Sequence, residues 1–280
     1  MNLISLMGNS QMLDAGAMFG NAPKALWSRW VEVDDLNRMH IACRCLLAKD
    51  FNGKNVLFET GIGAFFEPKL KQRFGINEEN HVLLNSLKQQ GLTHEDIDVV
   101  VLSHLHFDHA GGLLSAWQEQ KEAKLLFPNA QYLVSSDHWQ RAINPHPRDR
   151  ASFIPHLNRL LMESDRLNLV SGNYHELLPG VNFEYTNGHT PGMMHATIED
   201  IVFCADLIPG KAWIHVPISM GYDRFPELLI DEKSIFLDEH MKLGHKLFFT
   251  HDPEYAFAGI DKENNRFMTK NEFTNLNQEY

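Results

Sequence analysis

A chain of 280 residues with 44% hydrophobic content, 18 glycines and 12 prolines can bury a sizeable core, which excludes a peptide-like or collagenous protein. Its 25 basic and 36 acidic residues leave a formal charge of −11, a balance that repels phosphate backbones and anionic lipid heads. The outlier is 16 histidines, roughly twice the usual share for this length.

Residues 1–19 lack a basic leader region and carry Asp14, so no signal peptide is expected. No stretch approaches the ~18 apolar residues of a membrane span, and the expectation is a cytoplasmic chain with no membrane partner. Cys43, Cys45 and Cys204 lie in strand-like runs, and their odd number argues for buried thiols rather than a disulfide framework. Residues 40–49 alternate as a strand does; residues 55–59 form another after Asn52-Gly53, and Thr60-Gly61-Ile62-Gly63 breaks it. Val82, Leu83, Leu84 and Leu87, followed by Gly91, predict a helix over 80–90. Thr93 offers a helix cap, and 97–102 reads as a strand buried on both faces. A helix is expected over 113–124, then a strand over 130–135 leading into a cap at Ser136 or Asp137. Residues 144–155 hold three prolines and are expected to form a lid loop. Strands over 183–186, 197–198, 201–205 and 246–250 follow, with one helix over 226–243 entered through Asp223. No repeat or flexible linker divides the chain, so a single domain over 1–280 is expected. Strand clusters in both halves, each followed by helices, predict an α/β architecture of two face-to-face sheets with helices outside.

Directly after the buried strand comes Ser103-His104-Leu105-His106-Phe107-Asp108-His109-Ala110-Gly111-Gly112. Four potential metal ligands fall within six positions, His104 to His109. At a strand end His104 and His106 point to one side, because side chains alternate with period two, and the following turn swings Asp108 and His109 toward a neighbouring point. Two adjacent metal positions are within reach of one loop. Downstream stand Gly188-His189-Thr190-Pro191-Gly192, the strand-like Phe203-Cys204-Ala205-Asp206, and Phe248-Phe249-Thr250-His251-Asp252-Pro253.

This ordered set resembles the metallo-β-lactamase-fold hydrolases, whose hallmark is H-x-H-x-D-H followed by a distant His, an Asp and a last His. The resemblance implies a four-layer αββα sandwich of two mixed sheets with helices on the outer faces. It implies that His104, His106 and His189 hold one divalent ion, that Asp108, His109 and His251 hold a second, and that Asp206 bridges them. Zinc suits this donor set best, with Mn, Fe or Co admissible. A metal-bridging hydroxide would attack the substrate, with Asp108 carrying a proton to the leaving oxygen. No serine or cysteine nucleophile is needed, and Ser103 reads as structural. The family's upstream D-T-G is here Glu59-Thr60-Gly61, whose longer carboxylate either still orients a ligand histidine or has lost that role. His81, His94, His138, His175, His240 and His245 read as surface or capping residues. His215, nine positions after Asp206, is a candidate for the substrate pocket.

Residues 16–27 are similar to those of a branch near the N-acyl homoserine lactone lactonases and methyl-parathion-hydrolase-like enzymes. In that branch N-terminal segments pack across dimers, so 1–39 is expected as an extension of the domain and a homodimer is possible. Known lactonases carry a tyrosine three residues beyond the bridging aspartate; Pro209 stands there, and Tyr222 is the candidate replacement. The apolar pairs Met18-Phe19, Phe65-Phe66, Met193-Met194 and Trp213-Ile214, with Met220, point to an apolar or acyl-bearing small molecule: an ester, lactone or phosphotriester. A glyoxalase-II-like thioesterase or persulfide dioxygenase is the alternative, weakened by a C-terminus with only Lys262, Arg266 and Lys270 as basic residues. A non-catalytic metal-binding sensor is an alternative of another class. The acidic balance disfavours a nuclease and any nucleic-acid partner.

Overall fold

The computed structural model describes residues 1–280. Along the chain run β1 (Asn2–Met7), β2 (Gln11–Asp14), the short helices α1 (Ala15–Phe19) and α2 (Lys24–Trp27), and β3 (Arg38–Ile41). The hairpin β4 (Arg44–Phe51) and β5 (Lys54–Phe58) is followed by α3 (Pro68–Arg73), α4 (Val82–Gln89), β6 (Val99–Leu102) and the one-turn α5 (Phe107–Ala110). Next come β7 (Gln131–Ser135), α6 (Ser136–Ile143), α7 (Pro155–Glu163) and β8 (Leu167–Val170). The second half holds β9 (Asn182–Thr186), β10 (Met193–Ile198), β11 (Ile201–Phe203), α8 (Pro226–Leu243), β12 (Lys246–Phe248), β13 (Phe257–Glu263), β14 (Arg266–Phe273) and β15 (Asn277–Glu279).

The strands form a seven-stranded sheet, β15-β1-β4-β5-β6-β7-β8, and a six-stranded sheet, β14-β13-β12-β11-β10-β9, with β2 and β3 as a separate ribbon. Both sheets are mixed: β5 to β8 run parallel in the first, and β11 and β12 are the parallel pair in the second. Period-two alternation explains the layering. In β6, Val99 and Val101 face the core between the sheets, while Val100 and Leu102 face a second apolar layer under α4, α6 and α7. All four are buried, as expected for a parallel strand covered on both sides. Leu83 and Leu87 of α4 and Leu157 and Leu161 of α7 fill that outer layer, and α8 packs on β13. The αββα sandwich expected from the sequence is the observed fold.

Several local expectations fail for identifiable reasons. Residues 113–124 form no α-helix. Leu114 pairs with Leu125 across an exposed loop that turns at Gln118 and Lys121, and the segment has no apolar stripe to bury. The cap of α6 is Ser135, whose Oγ accepts from the His138 N–H at 3.4 Å, one position before the expected residues. Residues 1–39 are woven into the fold rather than appended to it. β1 lies between β15 and β4, and Phe19 stacks on Trp27 and on Trp213 at 5.7 and 4.6 Å, so its apolar side chains are used within the chain.

Lys233 of α8 is wholly buried, and its ammonium donates to Ile218 O at 2.6 Å. Burial pushes its pKa from 10.5 down to about 8, against the pull of Asp223. Between these values the unfolded chain binds the extra proton and the native chain does not, so this residue's contribution makes stability rise as pH rises from about 8 to 10.5. Below that window the cost of burying the charge is felt in full. Lys233→Met should therefore be about 1–3 kcal/mol more stable than the parent at pH 7, net of the lost hydrogen bond. Urea unfolding at pH 7 and pH 10 should show that advantage shrinking at the higher pH.

Candidate metal centre

All the clustered histidines and carboxylates lie just beyond the C-terminal ends of strands on one edge of the sandwich. β6 leads to His104 and His106, β9 to His189, β11 to Asp206 and β12 to His251. α5 carries Asp108 and His109, and its peptide carbonyl at His109 accepts from the Thr60 N–H at 2.9 Å. Gly112 makes this close approach possible: a Cβ there would stand 2.0 Å from Thr60 O.

The donor atoms fall into two groups sharing one carboxylate. His189 Nε2 lies 3.3 Å from His106 Nδ1 and 3.3 Å from Asp206 Oδ2, with His104 Nε2 at 4.0 Å from the same oxygen. His251 Nε2 lies 3.1 Å from His109 Nε2, 3.2 Å from Asp206 Oδ1 and 3.5 Å from Asp108 Oδ2. Asp206 thus turns one oxygen toward each group. Spacings near 3.3 Å match the edges of a tetrahedron whose metal–nitrogen bonds are about 2.0–2.1 Å. His104 Nε2 and Asp206 Oδ1 are buried with no hydrogen-bond partner, a costly arrangement unless a cation satisfies them. The residues present therefore fit a pair of divalent ions.

The far sides of the rings are held. His189 Nδ1–H donates to Asp223 Oδ1 at 2.9 Å, and His251 Nδ1–H to Ala42 O at 2.6 Å. His104 Nδ1 pairs with the Ser103 hydroxyl at 2.8 Å. His109 Nδ1 stands 3.2 Å from Glu59 Oε2, while Glu59 Oε1 accepts from the Ser103 N–H at 2.6 Å. Of the two alternatives for Glu59, the geometry favours the first: the longer carboxylate still faces a cluster histidine, from a backbone at φ 65°, in the left-handed region. These contacts leave each Nε2 facing inward, as second-partner hydrogen bonds do in histidine metal sites.

Burial, reinforced by neighbouring imidazoles, holds His104 and His106 well below the usual histidine pKa, so both are neutral with a lone pair to offer. At His109 and His251 burial acts the same way, but the neighbouring groups, Asp206 foremost, together outweigh it and raise both well above that range. Asp206 is held far below the ordinary carboxylate value because His109, His251 and His189 overcome its own desolvation. The cluster attracts positive charge, and a divalent ion would take the place of its protons.

A cavity of about 470 Å³ opens onto the cluster, with His106, Asp108, His189, Asp206 and His251 in its wall. Tyr222 lines it too, as do Met18, Met220, Ile41 and Phe107. His215 does not. It lines a second cavity of about 520 Å³ and stacks on Trp30 at 5.1 Å, because the turn Lys211–Ile214 buries Trp213 and Ile214 and sends the imidazole away from the cluster. Met193, Met194, Trp213 and Ile214 are core residues, and Phe66 packs on Phe74 and Phe107. The proline-rich loop borders the cavity through Arg148, Asp149, Ala151 and Ser152, yet it is clasped: Asp149 pairs with Arg141 at 2.7 Å and Arg148 donates to Gly221 O at 2.9 Å.

Of the six histidines read as surface or capping residues, His81, His138 and His240 are buried, with His81 at the N-cap position of α4; their polar partners are Gly112 O for His81, Glu184 for His240, and two backbone groups for His138. Asp223, read from sequence as the entry to a helix, is the partner of His189; no local motif marks it, since the two are 34 residues apart.

The chain matches the sequence model of the Metallo-beta-lactamase superfamily over residues 42–251. An N-acyl homoserine lactonase of Bacillus thuringiensis is 29% identical over 199 residues, 69% of this chain and 69% of that protein. Among solved structures, a probable metal-dependent hydrolase from Staphylococcus aureus is 27% identical with a TM-score of 0.86, over 97% of this chain and 96% of that one. The dizinc quorum-quenching lactonase AidC, solved with an N-acyl-homoserine product, shares the fold at 23% identity and a TM-score of 0.71, over 96% of this chain and 93% of that one.

Proposed function

The chain belongs to the metallo-beta-lactamase superfamily, and from that premise we propose that it is a dinuclear metal-dependent hydrolase of acyl-bearing esters and lactones. The observation that carries this reading is Asp206, with one oxygen toward the His104, His106 and His189 group and the other toward Asp108, His109 and His251. In this assignment the first three would hold one ion, the second three would hold the other, and Asp206 would offer an oxygen to each. Bound there, divalent ions supply Lewis acidity and lower the pKa of water from about 15.7 toward 7.

The chain's own residues do the rest. Asp108 belongs to the cluster and also lines the cavity, so it can take a proton from the attacking water and return it to the leaving oxygen. Burial and the Asp108 carboxylate raise the Tyr222 pKa; the phenol stays protonated at neutral pH and can donate a hydrogen bond to an acyl oxygen. Met18, Ile41, Phe107 and Met220 give the substrate's hydrocarbon a dry wall, while Arg148 and Ser152 offer donors at another part of the lining. The lactonase relatives favour a lactone within this class.

The glutathione-dependent alternative gains no support, since Lys262 is paired with Asp238 at 2.8 Å and Lys270 stands 3.7 Å from Asp261. A panel of N-acyl lactones, aryl esters, thioesters and phosphotriesters tests the reading. Turnover of lactones and esters well above that of thioesters and phosphotriesters is expected. Preferential thioester turnover, or none on any member, would defeat it.

A further inference from the structure

We propose that His138 is a positioning residue that locks the loop carrying His104 and His106 to the turn carrying His189. The proposal rests on the reading of those three histidines as ligands, but it concerns a residue outside the cluster. His138 lies in the first turn of α6, wholly buried, and does not line the cavity. Its Nε2 accepts from the Leu105 N–H at 2.8 Å, and Leu105 is the residue between His104 and His106. Its Nδ1–H donates to Pro191 O at 3.0 Å, two residues beyond His189. One imidazole therefore joins two loops that are far apart in sequence.

Only the neutral Nδ1–H form makes both bonds; a proton on Nε2 would oppose the Leu105 N–H. Because side chains alternate along an extended segment, anchoring the peptide of Leu105 fixes the directions of the residues on either side. The turn is pressed against the helix as well. A Cβ on Gly192 would lie 2.5 Å from the backbone nitrogen of His138, so the glycine lets the turn approach the start of α6 closely enough for Pro191 O to reach the ring. The Met194 N–H adds a bond to Ser103 O at 2.9 Å, which brings the same two segments together on the other side of the ligands. Ligand sites tolerate little looseness, and a clamp at the backbone between ligands controls their spacing without touching the ions.

Three variants separate the two bonds. His138→Asn can keep a donor for Pro191 O, His138→Gln can keep an acceptor for the Leu105 N–H, and His138→Ala keeps neither. Affinity for Zn²⁺ is measured by chelator competition, the Co²⁺ visible spectrum reports ligand geometry, and thermal unfolding of the metal-free proteins reports stability. Affinity should fall about 10- to 100-fold in His138→Ala, with an altered Co²⁺ spectrum. His138→Asn and His138→Gln, which each keep one of the two bonds, should both fall between parent and alanine. Unchanged affinity and spectrum in Ala and Asn, whatever their melting temperatures, would reduce His138 to core packing and overturn the proposal while leaving the hydrolase reading intact. A parent protein that binds no divalent ion would overturn both. Nitrogen NMR of the metal-loaded parent adds a test that needs no variant: the Nδ1–H tautomer is expected, and an Nε2–H or doubly protonated ring would contradict the clamp.

Discussion

Asp206→Ala will lose metal from both groups and lower kcat/KM by on the order of 10³-fold or more on the best substrate. The carboxylate is the one side chain within about hydrogen-bond distance of both halves of the cluster, at 3.3 Å from His189 Nε2 and 3.2 Å from His251 Nε2. Without it, His106 and His189 still face each other at 3.3 Å, and His109 and His251 at 3.1 Å, but nothing anionic lies between the pairs. The largest of the attractions that raise the His109 and His251 pKa values, and that would draw divalent ions to the cluster, is gone. Metal analysis after gel filtration, together with kinetics at saturating Zn²⁺, reads the result. Two ions per chain retained in the variant would refute the bridging role.

Asp223→Ala will weaken metal binding about 10- to 100-fold and cut turnover in proportion, although Asp223 does not face an ion. Its Oδ1 accepts from His189 Nδ1–H at 2.9 Å, and its Oδ2 from the Met220 N–H at 2.6 Å, with 1% of the residue exposed. The first bond sets the tautomer and orientation of His189. The second ties the Met220 to Tyr222 wall of the cavity to that same histidine. Removing both leaves two buried N–H groups unpaired, at about 1–3 kcal/mol of stability each. KM should rise along with the loss of metal, because the cavity wall moves. Asp223→Asn keeps an acceptor and should fall between parent and alanine. Isothermal titration with Zn²⁺ and steady-state kinetics separate these effects; an alanine variant with parental metal affinity would contradict the assignment.

How much could be read in advance follows from the range of each signal. His104 and His106 share a side because period-two alternation is local, and the parallel strand that carries them announces itself by four buried residues in a row. Pro226 and Gly244 bracket α8, so its bounds were legible to the residue. Asp206 and His251 follow apolar runs that become β11 and β12, and the resemblance gave them roles that distance alone would not. The partners of these histidines were not legible. Asp223 reaches His189 across 34 positions and His138 reaches Leu105 across 33, and such contacts exist only once the sandwich is closed. His215 misled because its place in the sequence suggested the substrate side, whereas the burial of Trp213 decides where the turn points. The last strands, β13 to β15, of which β14 and β15 are sheet edges, carry charged and polar residues and show too little apolar alternation to be read.

Metal-free protein is loaded stepwise with Zn²⁺ while bound metal and hydrolysis of an N-acyl lactone are followed in the same samples. The geometry around Asp206 predicts uptake of two ions per chain, no hydrolysis before loading, and activity that rises as the sites fill. Hydrolysis that persists in thoroughly metal-free protein, or a chain that takes up no stoichiometric metal, would contradict it.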